Sequence, residues 1–236
     1  MKRMKRMIPV LLLSAMTLWA QTADKPVAIT SEPSHHLYLE NEQVRVFQVE
    51  AAPHAATLVH QHDHDYIFVS LGASDIRNEV VGKAPAELKL EDGEVHWSKG
   101  GFAHRIVNLS DQPFRNVTIE LLRAQGAATP ATQPASRYCN PGSQTACVTE
   151  RYLFCTERVC VSDVTMGPGA VTMRHTHSTD HMVVAVTDLQ MTDEIEGKPT
   201  LQRSLKAGDA TYISAGITHR LINGPQANRF ITLQFK

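Results

Sequence analysis

The stretch His175-Thr176-His177-Ser178-Thr179-Asp180-His181 decides how this chain is read. A strand alternates its side chains, so His175 and His177 point to one face. The apolar run Met182-Val183-Val184-Ala185-Val186 follows at once, and the polar residues between allow the chain to turn before His181. Two imidazoles on one strand and a third at the start of the next can converge on one metal ion. Neutral imidazole suits zinc, copper, iron or nickel better than calcium or magnesium.

A second stretch supplies a fourth imidazole. Gly208-Asp209-Ala210-Thr211-Tyr212-Ile213-Ser214-Ala215-Gly216-Ile217-Thr218-His219-Arg220-Leu221-Ile222-Asn223 reads as strand, glycine turn, strand. Together the two stretches resemble the paired motifs of the cupin superfamily, with Ser214 where that family usually has proline. The first motif departs from the family at His181, which stands where cupins carry a metal-binding glutamate.

The rest of the chain repeats this arrangement. Adding 115 carries His60, His62 and Asp65 onto His175, His177 and Asp180. It also carries Gly93, Gly101, His104, Arg105 and Asn108 onto Gly208, Gly216, His219, Arg220 and Asn223 without a gap. Short strands separated by turn signals, with no sustained helical period, make the pattern all-β. The resemblance therefore implies a bicupin: two tandem double-stranded β-helix (jelly-roll) barrels. Expected boundaries are a signal peptide over 1–23, a first barrel over 24–123, a linker over 124–137 and a second barrel over 138–236. Each barrel, at roughly 100 residues, is expected to bury a core of its own.

The signal peptide rests on Lys2, Arg3, Lys5 and Arg6 ahead of the thirteen-residue run Ile8 to Ala20, with Ala20 and Ala23 as cleavage points. That run is shorter than the roughly 20 residues of a membrane span. Loss of those four cations moves the formal net charge from −1 to −5. A mildly acidic chain without a basic run gives no support for nucleic acid or anionic membrane as a partner. The implied setting is periplasmic or secreted, with a small-molecule ligand as partner and homo-oligomerisation left open.

An oxidising compartment favours disulfides among Cys139, Cys147, Cys155 and Cys160. The repeat favours Cys155–Cys160, because they map onto the opposite charges Glu40 and Arg45 across a turn. Cys139–Cys147 then closes a loop around Asn140-Pro141-Gly142. No Cys-x-x-Cys spacing suggests a thiolate metal site.

The candidate metal ligands are thus His175, His177, His181 and His219 in the second half and His60, His62 and His104 in the first. The cofactor implied is a divalent transition metal: Fe, Zn, Ni, Cu or Mn. Four imidazoles against three make the second half the expected tighter site. The first half leaves a position open, with Tyr66, which maps onto His181, as its candidate catalytic group. Asp180 is expected to orient an imidazole or to form a turn. His64 is expected in the turn near the barrel mouth. His35, His36, His54 and His96 have no repeat partner and read as surface or packing residues. All-histidine cupin sites resemble those of dioxygenases that cleave diketones or oxidise thiols, so a metal-dependent dioxygenase of a small anionic or enolisable substrate is one expectation. A non-catalytic metal- or ligand-binding module, as sensor or carrier, is the alternative, and a sugar isomerase is a distant third. No serine-hydrolase elbow, phosphate loop or His-Glu-x-x-His motif is present.

Overall fold

A computed structural model describes residues 25–236; the expected signal segment lies outside them. The first half forms ten strands: β1 (Val27–Ala28), β2 (His35–Glu40), β3 (Val44–Ala51), β4 (His60–His62), β5 (Asp65–Leu71), β6 (Ser74–Val80), β7 (Ala86–Leu90), β8 (Val95–Ser98), β9 (Phe102–Asn108) and β10 (Phe114–Leu121). The second half forms β11 (Thr129–Pro130), β12 (Ser136–Cys139), β13 (Cys147–Cys155), β14 (Val159–Met166), β15 (His175–Thr176), β16 (His181–Ala185), β17 (Leu189–Ile195), β18 (Leu201–Leu205), β19 (Ala210–Ile213), β20 (Thr218–Asn223) and β21 (Asn228–Phe235). A 3₁₀ turn at Ile29–Ser31 is the one helical element among the described residues.

Each half folds as two facing sheets. The first pairs its strands in the orders β1-β4-β9-β6-β7 and β2-β3-β10-β5-β8. In the second, β15-β20-β17-β18 faces a sheet ordered β11-β13-β14-β21-β16-β19, with β12 also on β13. Within the segment expected as a linker, β11 and the first two residues of β12 therefore lie against β13. Its small residues bury little, but their backbone groups find partners on an otherwise open edge.

Strand pairing bears out the repeat and corrects it in one place. β3 runs from Val44 to Ala51 and β14 from Val159 to Met166, a shift of 115. Beyond Asn223 the shift drops to 114: Phe114 pairs with Ala51, whereas Asn228 pairs with the equivalent Met166. The turn after Asn223 is one residue shorter than the turn after Asn108. Each asparagine ties its turn together by donating to three carbonyls, those of Ala51, Ala52 and Gln112 or of Met166, Gly167 and Gln226. Such a hub tolerates a lost residue because it holds both ends of the turn.

Alternation along the strands serves two cores. On β3, Val44 and Val46 face the other barrel, while Phe47 and Val49 pack with Ile29. The largest apolar cluster lies between the halves, joining Val44, Ile67, Ile119, Met182, Ile231 and Leu233 among others. The second barrel also keeps a core of its own, with Val148, Met166, Leu189, Met191 and Phe230 among its members, as expected. The first barrel's interior keeps only small clusters, such as Ala51, Ile76, Leu90 and Phe114, because polar residues occupy much of the rest. Gln48 Nε2 donates to Gly208 O (2.9 Å) and Gln43 Nε2 to Asp180 Oδ2 (2.9 Å) across the same interface.

Both disulfides have the expected pairing, Cys155–Cys160 and Cys139–Cys147. Cys155 faces Cys160 across the β13–β14 hairpin, as Glu40 faces Arg45 across β2–β3. There the link is an ion pair of 2.8 Å.

Candidate metal centres

Glycine fixes the approach of the two motifs in each barrel. Gly101 and Gly216 have φ of 89° and 87°, a conformation costly for residues with a Cβ. That turn aims the Gly101 N–H at His62 O (2.7 Å) and the Gly216 N–H at His177 O (2.8 Å). Register then sets His60 opposite His104 and His175 opposite His219.

In the second half three imidazoles converge. His175 Nε2 lies 3.0 Å from His177 Nε2, which lies 3.1 Å from His219 Nε2. His175 Nδ1 donates to Met173 O (2.9 Å), and His219 Nδ1 to Asp193 Oδ1 (2.8 Å). A proton held on Nδ1 leaves the Nε2 lone pair free for a cation. Imidazoles about 2.0–2.1 Å from a metal and at right angles about it place their nitrogens about 3 Å apart, which matches these separations. His181 stands differently: its ring stacks on His177 at 3.6 Å and 13°. It covers the His177 face and is not among the three nitrogens that meet.

The first half repeats the wiring. His60 Nδ1 donates to Leu58 O (2.9 Å), and His104 Nδ1 bonds Asn78 Oδ1 (2.8 Å). Tyr66 stacks on His62 at 4.1 Å and 20°, as His181 does on His177. Ring centroids of His60, His62 and His104 lie 4.6–5.1 Å apart. Among the described residues His60 Nε2 and His104 Nε2 are buried without a hydrogen-bond partner, as is His181 Nδ1 in the second half. An unsatisfied buried polar group ordinarily costs about 1–3 kcal/mol, so their retention fits a site built for a cation. His35 joins the first-half group: its ligand nitrogen and those of His60 and His62 lie within 4.8 Å of one another. His35 packs edge-on against Phe47, as a packing residue does, and also stands beside the candidate ligands. The nitrogens that meet within 4.8 Å are thus those of three histidines in each half: His35, His60 and His62 in the first, and His175, His177 and His219 in the second.

Burial keeps these groups neutral. It holds His62 down to about 2, His104 to about 3 and His60 to about 4, with neighbouring imidazoles adding to the effect. His177 falls to about 3 and His181 to about 4 for the same reasons. Burial also lowers His219, against the opposing pull of Asp193. Burial raises the Tyr66 phenol, so it stays protonated at neutral pH.

A cavity of about 50 Å³ lies among the first-half histidines, lined also by Tyr66, Phe68, Asn78, Asn116 and Thr118. It has room for an ion with one or two small molecules. Glu120 sits behind this wall, 3.1 Å from Arg45 and 3.9 Å from His62 Nδ1. His64 lies between β4 and β5, as expected of a turn residue. His36 and His54 are exposed, and His96 stacks on Phe68.

Asp180 does not orient an imidazole. Its carboxylate accepts from Tyr212 Oη (2.6 Å), Gln43 Nε2 (2.9 Å) and Ala215 N (2.8 Å), so it fixes the turn and ties the halves together. The imidazole partners that sequence reading missed are Asn78 and Asp193, which occupy equivalent places. Their signal was a polar residue on the inward face of an apolar alternation: Leu189, Met191, Asp193 and Ile195 are all buried on β17.

No protein-family profile and no curated protein matches the sequence. Solved structures do match in shape. A putative glyoxylate-induced protein from Pseudomonas aeruginosa is 13% identical with a TM-score of 0.62, over 87% of this chain and 82% of that one. A cupin 2 conserved barrel domain protein from Leptotrichia buccalis is 9% identical with a TM-score of 0.53, over 86% and 88%. Oxalate decarboxylase from Bacillus subtilis, which has Mn(II) centres, is 13% identical with a TM-score of 0.55, over 88% and 76%. The fold is that of the two-barrel cupins.

Proposed function

We propose that this chain is an exported metalloprotein whose two barrels each hold a divalent transition-metal ion through imidazole nitrogens. The observation that carries this reading is the shared wiring of the two halves. In both, Nδ1 of two histidines is taken by an oxygen, which turns Nε2 toward a common point. His60, His62 and His104 would hold one ion, and His175, His177 and His219 the other. The Mn(II) centres of the oxalate decarboxylase support a divalent ion in this fold. The two disulfides, together with the basic, apolar start of the sequence, support a periplasmic or secreted setting. Among the described residues no helix is long and apolar enough to cross a membrane.

The first half is the candidate for chemistry on a small anionic or enolisable ligand, of the dioxygenase type. An ion there supplies Lewis acidity toward a bound oxyanion. Tyr66 shields the His62 face and presents a protonated phenol. Phe68 and Ile106 limit water, and Asn78 holds the His104 tautomer. The cavity admits only a small ligand in this conformation.

A non-catalytic binding module is the second reading, and one observation favours it. Among the described residues no carboxylate lines the first-half cavity, so none stands there as a general base beside a bound ligand.

Metal analysis of the full chain tests the proposal. We expect about two ions per chain, falling to one in His60→Ala and in His177→Ala. A chain that takes up no iron, zinc, nickel, copper or manganese on reconstitution overturns it. Oxygen consumption with small enolisable acids, lost in His62→Ala but not in His177→Ala, separates the enzyme from the binding module.

A further inference from the structure

We propose that His35 is a fourth imidazole ligand of the first-half site, delivered by the segment ahead of the repeated barrel. This rests on the metal-binding reading above and assigns a residue that neither motif contains.

His35 opens β2, and its side chain is 5% exposed. Its Nδ1 lies 2.7 Å from Glu32 Oε2, so a proton there leaves the Nε2 lone pair for a cation. Glu32 is buried as well, and its oxygens also accept the N–H groups of Ser34 (2.8 Å) and Leu58 (3.0 Å). A carboxylate behind an imidazole raises ligand basicity and fixes ring orientation.

Leu58 connects this pair to the repeated motif. Its N–H donates to Glu32, and its carbonyl accepts from His60 Nδ1. Val27 and Ala28 run parallel to His60 and Gln61, which pins the preceding segment along the same strand. The His35 ring centroid is 4.7 Å from that of His60 and 6.4 Å from that of His62, and the three ligand nitrogens lie within 4.8 Å of one another. A packing role alone would favour an apolar side chain on Phe47, and would not explain a buried carboxylate fixing the imidazole.

The second half lacks the device. Register pairs His35 with Val49 and Glu150 with the equivalent Val164, so Glu150 occupies the matching place. The inference therefore assigns a four-imidazole site for a borderline-soft divalent ion to the first half alone.

The test uses the full chain with His175→Ala and His177→Ala removing the second site. Cobalt(II) is titrated into this background and into His35→Gln and Glu32→Gln versions of it. We expect His35→Gln to weaken binding about 10-fold or more and to alter the cobalt visible spectrum, and Glu32→Gln to weaken it on the order of 10-fold. Unchanged affinity and spectrum in His35→Gln overturn the proposal while leaving the metal site intact. Absence of cobalt from the background itself, or binding that survives His60→Ala, defeats the metal-binding reading instead. Should His35→Gln fail to fold, hydrogen exchange of residues 27–40 in the background chain decides: slower exchange with cobalt supports ligation from this segment, and no change overturns it.

Discussion

The two barrels set histidines on the same scaffold positions in opposite surroundings. His60, His62 and His104 are at most 5% exposed, whereas in the second half His219 is equally buried but His177 is half-buried and His175 exposed. The repeated motifs fix where the candidate ligands stand; chain outside the motifs decides how far water reaches them. In the first half, residues 27–40 lie along the site and bring His35 and Glu32. In the second half, the matching strand brings Glu150, and the strongest anionic support comes from Asp193 on β17. Closely related barrels thus reach an enclosed site and an open one.

The largest expected effect is acid sensitivity of the metal-free chain. Histidines with folded values near 2–4 are neutral when folded but protonate near 6.5 when unfolded. Between about pH 6.5 and 4 the unfolded state binds more protons, so stability falls as pH falls. The slope is on the order of 1.4 kcal/mol per pH unit for each histidine that stays neutral. Urea denaturation across this range should flatten more in His60→Gln/His62→Gln than in His175→Gln/His177→Gln. Equal flattening breaks the contrast between the halves.

Metal exchange comes next. The enclosed ion should leave more slowly than the open one, by about tenfold or more, since the surrounding shell controls solvent access. Chelator competition on His60→Ala and His177→Ala chains, each left with one site, measures the two rates. Indistinguishable rates would show that the buried setting does not govern access.

The hairpin links offer a smaller contrast. Removing Cys155–Cys160 opens a short loop and should destabilise by about 2 kcal/mol on the loop-entropy estimate. Installing the first half's pair, Cys155→Glu with Cys160→Arg, should restore only about 0–1 kcal/mol, the range of exposed ion pairs. Thermal unfolding of both variants checks this, and full recovery would make the two links equivalent.

The smallest effect concerns the imidazole partners. Asp193→Asn should weaken the second site on the order of 10-fold, and Asn78→Asp should strengthen the first, because a carboxylate makes the imidazole a better donor. Calorimetric titration of each variant reads both changes; a loss in Asn78→Asp would show that fit outweighs charge there.

Sequence alone determined the all-β class, the doubling, the disulfide pairing and most of the candidate histidines. These follow from spacing that a strand's two-residue period and a glycine's backbone freedom translate directly into position. The shorter turn after Asn223 escaped notice because no motif residue lies beyond it to reveal the slip. Tertiary structure decided which imidazoles meet. His181 and Tyr66 share one repeat position, and both became rings stacked on the neighbouring histidine. His35, 25 residues before His60, was drawn in by strand pairing that no local pattern announces. Ligand convergence depends on ring orientation and on oxygens such as those of Glu32 and Asp193, and only the folded sheets bring those oxygens beside the rings.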